Sequence, residues 1–140
     1  MTRDSSTYWN GVAFEWASPN AFALWRAYSD AINAALFLHW TDERRAARLL
    51  KTDLFDEAVG VGVYAPLAAR ANMVFGVDIS LLTACAARDH NPGIRAVVAD
   101  VRSLPFAEGA FDNVFSNSTL DHFEKCETIP KCLFDKFRNF

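Results

Sequence analysis

Acidic residues follow three strand-like segments of this 140-residue chain, at the points where the apolar runs stop. Asp53 and Glu57 come after the first segment, Asp78 ends the second and Asp100 ends the third. In an open parallel sheet, ligands bind outside the carboxyl ends of the strands, where the strand order reverses. The sequence therefore predicts that these carboxylates gather at one edge of a sheet around a ligand.

Each of these positions suggests a chemical role for its side chain. A carboxylate after the second strand can accept two hydrogen bonds from a ribose diol, and one after the third can accept from the exocyclic amine of adenine. Gly60 and Gly62, in the loop after the first strand, let the backbone approach a ligand closely. Acidic residues beside that loop favour a ligand that carries an ammonium and a sulfonium group, and they would repel a pyrophosphate.

Strand-like and helix-like segments alternate from residue 48 onward, which is typical of a parallel sheet with right-handed crossover helices. A nearly continuous apolar run over 73–77 indicates a strand that is covered on both faces. Ser80 is suited to cap the helix that follows. The predicted strands cover 48–55, 73–77, 94–99 and 110–115, and the predicted helices cover 66–71 and 81–88.

A separate N-terminal helical segment is predicted over residues 1–47. A helix that begins near 18–20 carries apolar residues at intervals of three and four, which predicts one buried face. This helix either packs on the body of the domain or serves as a lid over a ligand. A short second helix is predicted over 41–47, because acids suit its first turn. The apolar stripe consists of Phe22, Trp25, Tyr28, Ile32, Leu36 and His39 or Trp40.

Four stretches in combination resemble successive motifs of class I S-adenosylmethionine-dependent methyltransferases, most closely those of the type 11 small-molecule group. The resemblance covers about residues 49–123 and implies an α/β fold, a Rossmann-like parallel sheet with flanking helices. It implies a partial cofactor-binding domain over 48–140 that is incomplete at the C-terminus, because four of the family's seven strands can be recognised. The stretches are DLFDEAVGVG at 53–62, GVDIS at 76–80, ADVRSLPF at 99–106 and GAFDNVFSN at 109–117.

The resemblance implies S-adenosylmethionine as the cofactor and gives individual residues a role in binding it. Asp78 would bind the ribose hydroxyls, and Ile79 would pack against the adenine. Asp100 would accept a hydrogen bond from the adenine amino group, with the Val101 backbone beside it.

The same resemblance places further residues near the reacting end of the cofactor. Ser116 and Asn117 would border the methionine moiety, and Leu120 and His122 would lie on the turn that faces the acceptor. No motif assigns a catalytic residue. If the reaction uses a base, His122 and Asp121 are the first candidates.

The first motif of the family is altered in this chain. It normally reads acid, any residue, then Gly-x-Gly-x-Gly directly after the first strand, whereas here Phe55, Asp56 and Glu57 occupy the positions of the first glycines. In one register Asp53 is the acid of the motif and Gly60 lies near its last glycine. In another register Glu57 is that acid.

The predicted function is an S-adenosylmethionine-dependent methyltransferase that acts on a small-molecule acceptor, present as an N-terminal fragment. A cofactor-binding but inactive fragment or paralogue is an alternative, because the fourth strand would be left as an exposed edge. An NAD-dependent oxidoreductase is a further alternative, since residues 60–65 fit G-x-G-x-x-A and Asp78 follows. Against it, Asp56 and Glu57 crowd the place where a pyrophosphate would bind at a helix N-terminus.

The composition argues against several other classes of protein. The formal net charge is −3 and Lys and Arg are scattered, which disfavours a nucleic-acid partner. No apolar run approaches the roughly 20 residues of a membrane span, and the polar N-terminus does not resemble a secretory signal. Three cysteines without a Cys-x-x-Cys pair predict reduced thiols, no metal site and a cytoplasmic location.

Overall fold

The computed structural model of the chain describes residues 5–18 and 22–122. Two helices come before a region in which strands and helices alternate, as the sequence predicts for an α/β domain. The elements are α1 Ser5–Trp16, α2 Ala23–Trp40, β1 Ala46–Lys51, α3 Phe55–Val59, α4 Tyr64–Arg70, β2 Ala71–Asp78, α5 Leu81–His90, β3 Arg95–Val98, β4 Asn113–Phe115 and a 3-10 helix Leu120–His122.

The described strands form one parallel sheet in the order β3-β2-β1-β4. The chain therefore runs outward from β1 to β3 and then returns to pair β4 with the other side of β1. The strand order reverses between β1 and β4, and ligands of parallel α/β sheets bind at such a switch point. This arrangement confirms the Rossmann-like fold with flanking helices that the sequence predicts.

Both faces of the sheet are covered, which explains the near-continuous apolar strands. Leu49 and Leu50 are adjacent in β1 and therefore point to opposite faces, yet neither is exposed to solvent. Leu49 packs in one core cluster with Leu67 of α4, and Leu50 packs in a second cluster with Phe111. The sheet is thus held between two apolar layers, and its strand ends are the part left open to a ligand.

The predicted helix over 41–47 is wrong, because β1 already begins at Ala46. Ala46 pairs with Ala71 at the start of β2, so the tertiary pairing overrides the helical preference of an Ala- and Arg-rich segment. The guanidinium group of Arg45 fixes this corner, since it donates hydrogen bonds to Asn72 Oδ1 at 3.0 Å and to the Ala68 carbonyl at 3.1 Å.

The long predicted helix is present as α2, but most of its apolar stripe does not face the domain. Tyr28 is 61% exposed and Ile32 is 44% exposed, whereas the buried residues of α2 are Asp30 and Phe37. Phe37 packs edge-to-face on Phe115 of β4, with ring centroids 5.4 Å apart. The helix therefore docks through Phe37 and a polar face instead of through the stripe.

Other differences from the sequence prediction concern short elements. α1 lies within the N-terminal helical segment predicted over 1–47, although no separate helix was delimited there, and α3 forms where a loop was expected. Ser80 caps α5 as predicted, because its Oγ accepts a hydrogen bond from the Thr83 amide at 3.2 Å. Residues 1–4, 19–21 and 123–140 lie outside the described residues, and the last of these ranges includes Cys126 and Cys132. Within residues 5–18 and 22–122, no helix is both long and apolar enough to span a membrane.

Candidate functional site

A cavity of about 500 Å³ lies at the carboxyl ends of the strands. This volume falls within the usual range for small-molecule sites, roughly 300–1,000 Å³. Its floor comes from the strand ends, and α1 and the start of α2 form much of its wall. The lining residues are Ser5, Trp9, Val12, Trp16, Trp25, Arg26, Ser29, Thr52, Asp53, Phe55, Asp56, Asp78, Ile79, Thr83, Ala99, Asp100, Val101, Arg102, Ser118, Thr119, Asp121 and His122.

The structure brings together the three acids that follow successive strands. Asp53 lies just after β1, Asp78 ends β2 and Asp100 follows β3, and all three line the same cavity. Ile79 and Val101 line it as well. This arrangement agrees with the prediction from the sequence that carboxylates at the strand ends surround a common space.

Asp78 is held in position by two backbone amides. Its Oδ1 accepts a hydrogen bond from the Ser80 amide at 2.8 Å, and its Oδ2 accepts one from the Leu54 amide at 3.1 Å. Burial raises the pKa of Asp78 to about 6, although these hydrogen bonds oppose the shift. A carboxylate can accept about four hydrogen bonds. Asp78 therefore keeps acceptor capacity for a ligand.

A buried ion cluster lies beneath the cavity, next to Asp53. The ammonium group of Lys51 donates to the Asp53 carbonyl at 2.8 Å and lies 3.2 Å from Asp53 Oδ1 and 3.0 Å from Glu57 Oε2. Burial alone would lower the pKa of Lys51, but the charges of Asp53, Glu57 and Asp56 outweigh this effect and raise it. Lys51 is therefore a fixed cation at the end of β1.

The pKa of Asp53 is raised, chiefly because the side chain is buried, although the Lys51 charge works in the opposite direction. Its Oδ2 accepts a hydrogen bond from Thr119 Oγ at 3.1 Å. The side chain is 15% exposed and lines the cavity. Asp53 is thus the carboxylate of the ion cluster that borders the cavity.

The other candidate for the motif acid, Glu57, lies in a different environment. Its side chain is completely buried in α3, and its Oε1 accepts a hydrogen bond from the Val63 amide at 2.8 Å. It is not among the residues that line the cavity. With Oε2 near Lys51, both carboxylate oxygens of Glu57 face groups of the chain itself.

The two glycines of the loop after β1 also lie away from the cavity lining. Gly62 has φ +64°, and a Cβ at this position would lie 2.6 Å from Glu57 Oε1. The Gly62 amide donates a hydrogen bond to Asp30 Oδ2 of α2 at 2.9 Å. Gly60 lies nearby, where a Cβ would contact the same Asp30 oxygen at 3.4 Å. In this structure both glycines make room for buried acids.

Asp100 is paired with Arg102 across the rim of the cavity. Arg102 Nε lies 2.9 Å and 3.0 Å from the two carboxylate oxygens of Asp100. The hydrogen bond from the Arg102 side chain lowers the pKa of Asp100. Asp100 is therefore ionised over the whole physiological range, and its ion pair sits at the far end of the cavity from β4.

The residues after β4 divide into two groups. Ser116 Oγ accepts from Thr52 Oγ at 2.8 Å, and Asn117 Nδ2 donates to Asp56 Oδ2 at 2.8 Å, and neither residue lines the cavity. Asp121 and His122 of the 3-10 helix do line it. The His122 ring packs edge-to-face on Trp9 of α1, with centroids 4.7 Å apart.

Sequence reasoning missed two features of this site. Lys51 is one, although a lysine that ends an apolar strand and precedes several acids could have signalled a buried ion pair. The other is the contribution of α1 to the wall, through Trp9, Val12 and Trp16, because no residue of the predicted N-terminal segment before residue 18 was assigned to the site. Among residues 5–18 and 22–122, no cluster of three His, Cys, Asp or Glu side chains is arranged to hold a metal ion.

The sequence profile of a family described as "Methyltransferase domain" matches residues 55–134, more than half of the chain. The chain belongs to the methyltransferase-domain family. The matched region of this methyltransferase-domain chain begins at α3, so it includes Glu57 but not Lys51 and Asp53 of the ion cluster. Membership confirms the family that the sequence motifs predict. No curated protein sequence matches the chain significantly.

Solved structures share the fold of this methyltransferase-domain chain. A protein from Methanococcus maripaludis, described as S-adenosyl-L-methionine-dependent methyltransferase, is 14% identical with a TM-score of 0.72, covering 93% of this chain and 59% of its own. The YcgJ protein from Bacillus subtilis is 16% identical with a TM-score of 0.66, covering 78% of this chain and 47% of its own.

A third structure is the N-methyltransferase NodS from Bradyrhizobium japonicum in complex with S-adenosyl-L-homocysteine. It is 14% identical with a TM-score of 0.53, and the match covers 65% of this chain and 45% of NodS. The methyltransferase-domain chain thus spans about half the length of the structures that it matches. At these identities the likeness concerns the fold.

Proposed function

We propose that the cavity binds S-adenosylmethionine and that the protein transfers its methyl group to a small-molecule acceptor. The observation that carries the proposal is the placement of Asp53, Asp78 and Asp100, which follow three adjacent strands and line one cavity. Family membership supports the same reaction.

The charges that line the cavity have the sign that suits this cofactor. Five carboxylates and two guanidinium groups line the cavity. A ligand with a sulfonium and an ammonium group gains from such surroundings, whereas a pyrophosphate would be repelled. The volume of about 500 Å³ suits a nucleoside-sized ligand with further space beside it.

Under this proposal, each strand end holds one part of the cofactor. Asp78 accepts hydrogen bonds from the ribose hydroxyls, and Ile79 packs against the adenine. Asp100 and the Val101 backbone bind the polar edge of the adenine. Asp53 faces the ammonium group of the methionine moiety and is the acid of the first motif.

Glu57 and the two glycines have a different part in this scheme. Glu57 neutralises Lys51 and anchors Val63, and Gly60 and Gly62 let the loop close over buried acids. Ser116 and Asn117 support the site through Thr52 and Asp56. These five residues therefore shape the walls of the cofactor site.

The chemistry demands little covalent work from the protein. When bound, S-adenosylmethionine supplies an activated methyl group. The residues of the chain bind and orient the reactants and exclude water, which lowers the entropic part of the barrier. Asp121 and His122 line the cavity on the 3-10 helix, and either can take a proton from the acceptor.

The structure gives no support to the alternative of an NAD-dependent oxidoreductase. Gly60 and Gly62, which fit a dinucleotide motif, lie outside the cavity lining. Glu57 fills the space beside Gly62, so that the loop offers no cradle for phosphate.

Calorimetric titration of the chain tests the proposal. We expect S-adenosylmethionine and S-adenosylhomocysteine to bind and NAD not to bind. Tight binding of NAD without binding of the methyl donor would overturn the proposal. Formation of S-adenosylhomocysteine during incubation with candidate acceptors then separates an active enzyme from a protein that only binds the cofactor.

A further inference from the structure

The cavity has a second wall that the proposed cofactor contacts do not use. This wall comes from α1, the start of α2, α3 and the 3-10 helix, whereas the adenosine contacts lie at the ends of β2 and β3. We call it the acceptor wall and define it by Trp9, Trp16, Trp25, Phe55, Asp56 and Asp121. An acceptor would contact these residues, since they border the same space as Asp53.

The aromatic part of the acceptor wall is held in place by ring contacts. Trp16 packs edge-to-face on Phe55, with centroids 5.4 Å apart. The backbone carbonyl of Trp16 also accepts a hydrogen bond from Arg26 Nη1 at 3.4 Å. Trp9 packs edge-to-face on His122 at 4.7 Å. Fixed indole rings present flat apolar surfaces that favour a flat apolar ligand.

The charged part of the acceptor wall is mostly negative. Asp56 and Asp121 line the cavity there, and the guanidinium group on the same side is Arg26. Asp56 accepts a hydrogen bond from the neutral amide of Asn117 at 2.8 Å. Together with Asp53 and Glu57 it surrounds the cation Lys51, so this side of the cavity keeps an excess of negative charge. Carboxylates together with indole faces form favourable surroundings for a cation, through ion pairing and cation–π attraction.

We infer that the methyl acceptor is an amine carried on a flat apolar ring, bound between the tryptophans of the acceptor wall with its nitrogen toward Asp121. This inference rests on the proposed methyl-transfer function and names its substrate class. An alcohol, a carboxylate or an anionic ring would not use the charge of this wall.

The reaction of such an amine balances without a further reagent. The bound ammonium first loses one proton to Asp121, which restores the lone pair of the nitrogen. The nitrogen then forms a bond to the methyl carbon while the carbon–sulfur bond breaks. The electron pair of the broken bond stays on sulfur. The products are a methylated ammonium and a neutral thioether, and Asp121 releases its proton to water.

Calorimetry with matched probes tests the inference on the full chain saturated with S-adenosylhomocysteine. Tryptamine is the cationic probe and indole-3-acetate is the anionic probe of similar shape. We expect tryptamine to bind at least about tenfold more tightly, the scale of a desolvated cation–π contact with an added ion pair. Equal affinity for the two probes, or a preference for indole-3-acetate, would overturn the inference.

Two pairs of variants locate the binding. Asp121→Asn and Trp16→Leu should each weaken tryptamine binding by about tenfold and leave S-adenosylhomocysteine binding within about twofold. The matched controls are Asp89→Asn and Trp40→Leu, which alter exposed residues outside the cavity and should change neither affinity. Tryptamine affinity that is unchanged in both cavity variants contradicts the assigned wall.

The two proposals fail in distinguishable ways. If S-adenosylhomocysteine does not bind, the methyl-transfer function is wrong, and the acceptor assignment falls with it. If S-adenosylhomocysteine binds and tryptamine shows no advantage over indole-3-acetate, only the substrate class is wrong.

Discussion

The ammonium group of Lys51 lies 3.0 Å from Glu57 Oε2, and both side chains are fully buried. This ion pair joins the end of β1 to α3, the next element of the chain. Because Glu57 Oε1 also binds the Val63 amide at 2.8 Å, the pair ties β1 to the loop before α4. It therefore fixes the floor from which Asp53 faces the cavity.

Lys51→Met should destabilise the protein by about 3–5 kcal/mol, because Glu57 would remain as an uncompensated buried charge. The double variant Lys51→Met, Glu57→Gln should recover part of this loss, since the amide oxygen of Gln can still accept from Val63. Urea unfolding followed by circular dichroism measures both. A double variant less stable than Lys51→Met would show that the pair is not the source of the effect.

Asp78→Ala should weaken the binding of S-adenosylmethionine by about 1–3 kcal/mol, the scale for losing hydrogen bonds to a charged group. Calorimetric titration measures the change, and thermal unfolding shows how much of it reflects the lost bonds to the Leu54 and Ser80 amides. Asp89→Asn is the control, because Asp89 is exposed and pairs only with its neighbour Arg88 in the described contacts. An unchanged affinity in Asp78→Ala means that the ribose binds elsewhere.

The affinity for S-adenosylmethionine should rise with pH around the pKa of Asp78, which burial raises to about 6. If only the carboxylate form binds, the affinity increases by about tenfold between about pH 5 and pH 7. Nearby Asp53 acts in the same direction, because its pKa is also raised, while Lys51 stays charged throughout. Titrations at several pH values provide the measurement, and Asp78→Asn should give a flatter profile.

The free energy of unfolding should depend on the protonation of Asp78 in the opposite direction, and should fall as the pH rises. A raised pKa means that the folded protein binds the Asp78 proton more tightly than the unfolded chain does. Its contribution to stability is therefore complete below about pH 4 and is lost as the pH rises through about 6. Subtracting the urea unfolding free energy of Asp78→Asn from that of the parent chain should reveal this trend, and a difference that grows with pH would contradict it.

Gly62→Ala should destabilise the protein by about 1–3 kcal/mol, since it combines a left-handed φ with a clash at a buried side chain. The φ is +64°, and the added methyl group would lie 2.6 Å from Glu57 Oε1. Gly11→Ala is the matched control, because nothing lies within 4 Å of its added methyl group and it sits inside α1. That control should be neutral or stabilising by about 0.5–1 kcal/mol. Equal unfolding free energies of the two variants would refute the close-packed position of Gly62.

The sequence allowed the parallel sheet and the floor of the site to be predicted because local patterns determine them. The apolar run that ends at Asp78 marks β2, and Ser80 caps α5 because its Oγ accepts a hydrogen bond from the Thr83 amide three residues later. Strand ends of a parallel sheet meet at one edge, so Asp53, Asp78 and Asp100 could be expected to approach each other.

Features that depend on distant contacts could not be predicted in the same way. The chain is extended at Ala46 because this residue pairs with Ala71 of β2. The orientation of α2, with most of its apolar stripe turned outward, depends on a polar contact. Asp30 of this helix accepts a hydrogen bond from the amide of Gly62, which is 32 residues away in the sequence. The pairing of Lys51 with Glu57 requires the turn after β1 to bring α3 back to the end of the strand, and no rule of sequence spacing specifies this contact.

Trp9, Trp16 and Trp25 line the cavity, and they are three of the four tryptophans of the chain. The fourth, Trp40, is 76% exposed at the end of α2 and provides a constant solvent-facing background. The ultraviolet emission of the unlabelled protein is therefore weighted toward the binding site. Occupation of the cavity should shift the emission maximum and change accessibility to an added quencher, so the molecule carries its own optical reporter.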